Sequence, residues 1–162
     1  MNIRKTISSI ILGGVLAASF IGSSFAYTQD DLQTVINTAY NELGKPYVFG
    51  SAPYDNSSHD CSSLMMYCYS KIGIELPRVS VNQAEVGLEV PIDEIREGDI
   101  VCMHTSDRNG VGKTSHVGLY IGDGKLIEAR GRAYGVIITN LEDRKPIITT
   151  IRRILVEKEE VR

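Results

Sequence analysis

The stretch with the most chemical potential is "SSHDCSSLMMYCYS", residues 57 to 70, in which Cys61 and Cys68 stand seven positions apart behind a turn-rich lead-in. Cys61 falls where that lead-in gives way to a helical pattern. A thiol in the first turn of a helix lies beside unsatisfied backbone N–H groups and the positive end of the macrodipole. That placement lowers its pKa from about 8.5 and supplies the nucleophilic thiolate near neutral pH. Position alone favours a small buried hydrophobe over a catalytic thiol. A cysteine nucleophile needs a base, and the base needs an orienting group. Of the three histidines, His59 reads as a surface residue of the lead-in, and His104, bordering the polar run "TSDRNGVGKTS", as a loop-edge residue. His116 opens the strand-like "HVGLYIG", and a hairpin through the following "GDG" brings "KLIEA" back beside it. Glu128 is the only acid in that apolar run. Counting from a turn centred on Asp123 and Gly124 places it two or three rungs out. Both a partner of His116 and an outward-facing, solvated glutamate fit that position.

Metal chemistry is the rival. Two cysteines seven apart, with histidines scattered elsewhere, match no usual zinc spacing. The glycines fall in hairpin turns rather than in a phosphate-binding loop after a strand, so no metal or other cofactor is expected. Cys68, two turns after Cys61, reads as core, with a Cys68–Cys102 disulfide as the alternative. Three cysteines leave at least one unpaired thiol.

Several elements must position these groups. "TQDDLQTVINTAYNELG" reads as a helix, with Leu32, Val35, Ile36, Ala39, Tyr40 and Leu43 at 3.6-residue spacing, acids in its first turn and Gly44 as its stop. A second helix is expected from about Asp60 to Ile72, with Asp60 as N-cap and Gly73 as stop. Cys61, Leu64 or Met65, Cys68 and Ile72 then share one face. A shorter helix, "SVNQAEVG", follows "ELPR". The period then changes: "GDIVCMHT", "SHVGLYIGDGKLIEA", "YGVIITN" and "PIITTIRRIL" are β-branched or apolar runs separated by turns. Helices followed by antiparallel strands predict an α+β domain, and "VEKEEVR" reads as a solvated tail.

The first 26 residues read as a cleavable export signal. Arg4 and Lys5 give a basic start, a short apolar run follows, and "SSFA" supplies small residues before cleavage after Ala26. The run is short for a membrane span of roughly 20 residues, and the absence of cysteine there argues against a lipid anchor. Residues 27–162 amount to one domain, destined for secretion or the cell wall. The formal net charge is −3, and −5 once Arg4 and Lys5 leave, which argues against nucleic acid as a partner.

Taken in order, "HDCSSL", "ELPRVS", "EGDIVCM", "SHVGLYIGDGK" and "LIEARGRAYGV" resemble the NlpC-type cell-wall cysteine peptidases, papain-like enzymes that cut bacterial peptidoglycan stem peptides. The resemblance runs from about Thr28 to Leu155. It implies a papain-like α+β fold, with the nucleophile at a helix N-terminus packed on a C-terminal antiparallel sheet. By the same resemblance Cys61 is the nucleophile, His116 the base and Glu128 the third, orienting residue, where histidine is commoner. Tyr47 of "GKPYVFG" matches a tyrosine whose hydroxyl sits beside the nucleophile and, with the Cys61 N–H, binds the oxyanion. Asp60 matches an acid that receives a substrate amine in some relatives, a role that stands beside its helix-capping one. Ser62 and Ser80 match serines that hold the α-carboxylate of D-glutamate, and Arg78 is given a structural role. Ser63 stands where glycine is frequent, which implies a narrower pocket.

The implied reaction is cofactor-free hydrolysis of the γ-D-glutamyl bond to a diamino acid, meso-diaminopimelate or lysine, in stem peptides or muropeptides. Targeting then falls to a wall-targeting or regulatory protein. Two alternatives are a related papain-like amidase, cutting the muramoyl–L-alanine amide or a crossbridge, and a non-catalytic wall-binding or assembly module.

Overall fold

The computed structural model describes residues 25–157. Positions 1–24, nearly all of the predicted export signal, and 158–162, most of the predicted tail, lie outside the described residues.

Helix α1 spans Gln29–Asn41. Thr28 caps it: its hydroxyl accepts from the Asp31 N–H at 3.2 Å, and the Asp31 carboxylate accepts from the Thr28 N–H at 2.8 Å. Val35, Ile36 and Ala39 are buried, whereas Tyr40 and Leu43, expected on the same stripe, finish on the exposed side. Helix α2 spans Cys61–Ser70 and is capped by Asp60, whose carboxylate accepts from the Ser63 N–H at 2.8 Å while Ser63 Oγ accepts from the Asp60 N–H at 2.9 Å. Every residue from Cys61 to Tyr69 is buried. The expectation of a single inner face is therefore corrected: α2 lies between α1 and the sheet and has no solvated side. It ends two residues before Ile72, and the chain turns away through Gly73 at φ +78°. Tyr69, at its far end, donates its hydroxyl to the Gly98 carbonyl. The third helix, α3, is a single turn at Ser80–Gln83, shorter than its pattern suggested. The Gln83 amide anchors it by donating to the carbonyls of Ser62 and Pro77.

The strands are β1 (Phe25–Tyr27), β2 (Leu88–Glu89), β3 (Ile100–Met103), β4 (His116–Tyr120), β5 (Lys125–Gly131), β6 (Gly135–Asn140), β7 (Ile148–Arg153) and β8 (Leu155–Glu157). Six of them form an antiparallel sheet in the order β2-β7-β3-β4-β5-β6. β1 and β8 pair separately, in parallel, joining the end of the predicted leader (Phe25 and Ala26) to Leu155 and Val156. Val156 is buried in this pair, so the predicted solvated tail does not begin there. The sheet buries both faces. Ile100, Cys102, Val117, Leu119, Ile127 and Ala129 meet the helices, while Val101, Met103, Leu126 and Ile151 gather with Leu141 on the other side. This is the expected α+β arrangement, helices first and an antiparallel sheet after.

The loop 45–59 is clamped at both ends. The Val136 N–H donates to the Lys45 carbonyl and the Gly44 N–H to the Val136 carbonyl, each at 2.9 Å. Tyr47 bridges His59, and Val48 donates to the His59 carbonyl at 3.0 Å. His59 is thus fully buried rather than a surface residue: its Nε2 lies 2.6 Å from Glu42 Oε2 and its ring meets that of Tyr67 at 5.4 Å. The loop folds back over the end of α1, which the sequence pattern of the loop did not reveal.

The clamp on β6 depends on Gly135. A Cβ there would come within 2.4 Å of the Lys45 carbonyl oxygen, whereas one at Gly124, with the same φ of +67°, meets nothing within 4 Å. Gly124→Ala should therefore cost about 1 kcal/mol from backbone strain alone. Gly135→Ala should cost at least about 2 kcal/mol, read as the difference in denaturant unfolding free energy. Equal losses would remove the backbone approach from the explanation.

Candidate active site

Cys61 opens α2 with its side chain almost fully buried. Its thiol meets the start of β4, in hydrogen-bonding contact with the His116 imidazole and the Val117 N–H. The other side of the imidazole is fixed by Glu128, with His116 Nε2 2.5 Å from Glu128 Oε2. Sheet register explains the contact that counting left open. Leu119 pairs with Ile127 and Tyr120 with Leu126; the same register sets Glu128 across from Gly118, diagonal to His116 on one face. Position 118 has no side chain, and a Cβ there would stand 3.3 Å from the Glu128 Cβ. Glycine therefore leaves the carboxylate room to lean toward the imidazole.

The second oxygen of Glu128 is held by groups that no motif in the sequence marks. It accepts from Thr139 Oγ1 at 2.6 Å and from Arg144, through Nε at 2.9 Å and through Nη2. Thr139 comes from β6, beside β5. Arg144 comes from the turn before β7. The only advance signal for either was a carboxylate in an apolar strand, which requires compensation if buried.

These contacts decide the charge states. Burial opposes ionisation of Glu128, yet the His116 hydrogen bond and charge, with Thr139 and Arg144, carry its pKa down to about 2. Burial also works against the imidazolium, but hydrogen bonds to Cys61 and Glu128 raise His116 to about 9. For Cys61 burial is again the opposing influence, and the His116 hydrogen bond and charge bring the thiol below its usual value. At neutral pH a Glu128 carboxylate and a His116 imidazolium thus stand next to a thiol whose ionisation they favour. Cys68 and Cys102 differ: both are buried and unpaired, so the disulfide alternative is not realised. Burial pushes Cys102 up to about 12 and Cys68 well above its normal range.

A cavity of about 370 Å³ opens beside Cys61, lined among others by Tyr47, Asp60, Ser62, Arg78, Ser80 and Arg108. Tyr47 is half-buried next to the thiol, and burial followed by the negative charge of Cys61 raises its pKa, against the opposing Arg108. Asp60 lines the wall, but its oxygens are fully occupied. One accepts from the Ser63 N–H, Ser62 Oγ and Arg78 Nη1, and the other from the Gly50 N–H at 2.9 Å and Arg78 Nη2 at 2.6 Å. Burial pushes its carboxyl up, and these partners more than reverse it. The capping reading of Asp60 is therefore what the geometry displays, and Arg78 braces it while also donating to Ser62 Oγ and the Ser51 carbonyl. Ser80 points into the same cavity region from the start of α3, with its residue mostly buried. Ser63 turns its hydroxyl into the α2 cap and is absent from the cavity wall, so it does not narrow the pocket. His104 lies at the loop edge as expected, Nδ1 2.8 Å from the Lys113 carbonyl and Nε2 3.2 Å from Asp107. The geometry thus gathers Cys61, His116 and Glu128 into one line and Tyr47, Asp60, Ser62 and Ser80 around the adjoining cavity.

Comparison with known proteins assigns the fold to a family. Residues 44–152 match the NlpC/P60 family. The chain is 30% identical over 139 residues to the peptidoglycan endopeptidase RipB of Mycobacterium tuberculosis, covering 78% of this chain and 55% of that one. It is 36% identical over 122 residues to a gamma-DL-glutamyl hydrolase of Bacillus subtilis, covering 74% of this chain and 28% of that one. The chain thus spans about half or less of the length of these relatives. Among solved structures, NlpC2 from Trichomonas vaginalis superposes with a TM-score of 0.70 at 27% identity, covering 80% of this chain and 48% of that one. With a papain-like α+β fold and a family match over most of its length, the chain belongs to the NlpC/P60 family.

Proposed function

We propose that this protein is an exported cysteine endopeptidase that hydrolyses the γ-D-glutamyl bond to the diamino acid of peptidoglycan stem peptides. The observation that carries the reading is the buried line Cys61–His116–Glu128 at the mouth of a cavity walled by serines and Arg78. Cys61 thiolate attacks the γ-glutamyl carbonyl. The Tyr47 hydroxyl and the Cys61 N–H, a free donor position in the first turn of α2, receive the developing oxyanion. The His116 imidazolium then protonates the departing amine, and afterwards takes a proton from the water that releases the acyl group. Glu128 holds the ring in place and favours its charged form. Ser80 and Ser62 hold the α-carboxylate of D-glutamate. Among the described residues no side chain competes for the Ser80 hydroxyl, whereas Ser62 is already engaged by Asp60 and Arg78. The names of the relatives, a peptidoglycan endopeptidase and a gamma-DL-glutamyl hydrolase, support the wall substrate and the γ-glutamyl acyl group. The apolar leader supports work outside the cytoplasm, and a protein partner supplies wall targeting.

Product analysis separates this reading from the amidase one. The endopeptidase exposes the amine of the diamino acid, and a muramoyl amidase exposes the N-terminus of L-alanine; mass spectrometry of digested stem peptides decides between them.

Cys61 is expected to be the only reactive thiol, because burial holds Cys68 and Cys102 protonated. Iodoacetamide at neutral pH should label Cys61 first and abolish turnover. A protein that resists labelling at Cys61 would favour the non-catalytic module.

His116 is raised by Cys61 and by Glu128, and Glu128→Gln keeps the shape while removing the carboxylate's share. The imidazolium is then lost at lower pH, so the alkaline limb of kcat/KM should move down from near 9. Activity at neutral pH should fall by roughly one to two orders of magnitude, less than on losing Cys61. Glu128→His should restore part of it. An unchanged rate and profile would return Glu128 to a structural role.

Ser80→Ala should lower kcat/KM with little change in Tm, and the defect should shrink on substrates whose D-glutamate α-carboxylate is amidated. Equal losses on both substrates would detach Ser80 from that carboxylate.

A further inference from the structure

Two cavities flank the Cys61–His116 pair, and they share no lining residue. The one beside Cys61 is taken above for the glutamyl side. The other, of about 110 Å³, is lined by Thr105, His116, Glu128, Arg130 and Arg144 and lies past the imidazole on its Glu128 side. Two guanidinium groups and the His116 ring there meet one carboxylate, so positive charge exceeds what Glu128 requires. Of the two arginines only Arg144 serves Glu128, through Nε and Nη2. Arg130 follows Glu128 by two positions on β5, and both line this cleft. It is exposed, has no carboxylate partner among the described residues, and lies over the Tyr134 ring at 4.6 Å. Stacking of that kind fixes the plane of a guanidinium while leaving its N–H edge available. The same two arginines continue into a groove of about 320 Å³ with Thr139 and Asn140, where Asp143 is the only acid.

We propose that this cleft is the leaving-group subsite and that Arg130, with Arg144 behind it, reads a carboxylate at the end of the released residue's side chain, selecting meso-diaminopimelate over lysine. The inference rests on the hydrolase reading above. In thiol hydrolysis the imidazolium gives its proton to the departing nitrogen, so the departing residue lies on the His116 side of the nucleophile. The cleft begins beyond the ring, where the end of a side chain arrives rather than the carbon next to the scissile nitrogen. The side chain of meso-diaminopimelate ends in a carboxylate as well as an ammonium, and an arginine fork pairs with carboxylate oxygens. Lysine ends in an ammonium alone, which two arginines repel.

The test uses three tetrapeptides, L-Ala-γ-D-Glu-X-D-Ala, in which X is meso-diaminopimelate, its side-chain amide, or L-lysine. The α-carboxyl of X is an amide in all three, so only the side-chain end differs. The expected kcat/KM for the free meso-diaminopimelate peptide exceeds the other two by about tenfold or more. Arg130→Gln should bring that ratio close to one. Arg132→Gln, which removes the same charge from the adjacent turn outside the cleft, should preserve it. A wild-type ratio near one, or an Arg130→Gln variant slowed equally on all three, overturns the subsite while leaving the hydrolase reading intact. Failure to cut any of the three at the glutamyl bond overturns the hydrolase reading and the subsite together.

Discussion

A carboxylate with no solvent exposure sits at the centre of this protein, and the site is built around keeping it charged. Glu128 points from the middle of β5 into a place where an unpaired ion would cost several kcal/mol. Its two oxygens divide the compensation. One takes the His116 imidazole, and the other takes Thr139 and Arg144. Neighbouring strands supply His116 and Thr139, and the β6–β7 connection supplies Arg144. The ion thus links three stretches of chain, and their correct packing is a condition of its ionisation. His116 is raised by its hydrogen bonds to Cys61 and to this anchored charge, and Cys61 is lowered in turn by His116.

A second buried carboxylate performs the corresponding task on the helical side. Asp60 caps α2, and Arg78 neutralises it while also reaching Ser62 and the Ser51 carbonyl. The cap fixes where α2 begins and therefore where the Cys61 thiol stands. The clamp between Lys45 and Val136 fixes the loop that brings Tyr47 to the same point. Cap, clamp and glutamate converge from helix, loop and sheet, so the site has no single supporting element.

Among the described residues, the acidic groups near the site are spent on structure and the basic ones are in excess, although the whole chain is net acidic. Arg108 stands over the Phe49 ring at one cavity, and Arg130 and Arg144 line the other. A substrate with carboxylates on both sides of its scissile bond complements that pattern, as the proposed stem peptide does.

Local rules decided much of this protein in advance. The Asp60 cap, the glycine stops, the strand periods and the hairpin at "GDG" each depend on neighbours a few residues away, so the α+β order and the placing of Cys61 at a helix start were legible from the sequence. The motifs about Cys61, His116 and Glu128 were legible too, through their resemblance to a family. Tertiary packing decided the rest. His59 read as exposed because nothing nearby in sequence shows that its loop folds onto Glu42, 17 positions earlier. The one-sided face expected of α2 disappeared because α1 and the sheet enclose it from both directions. Glu128 was ambiguous on counting, since alternation gives a face but not what covers it. Register against Gly118, and the arrival of Arg144 16 positions later, turned a solvated possibility into a buried ion. Periodicity and capping are short-range and survive in one dimension; charge compensation is satisfied by whichever group the fold brings near, and only three dimensions identify it.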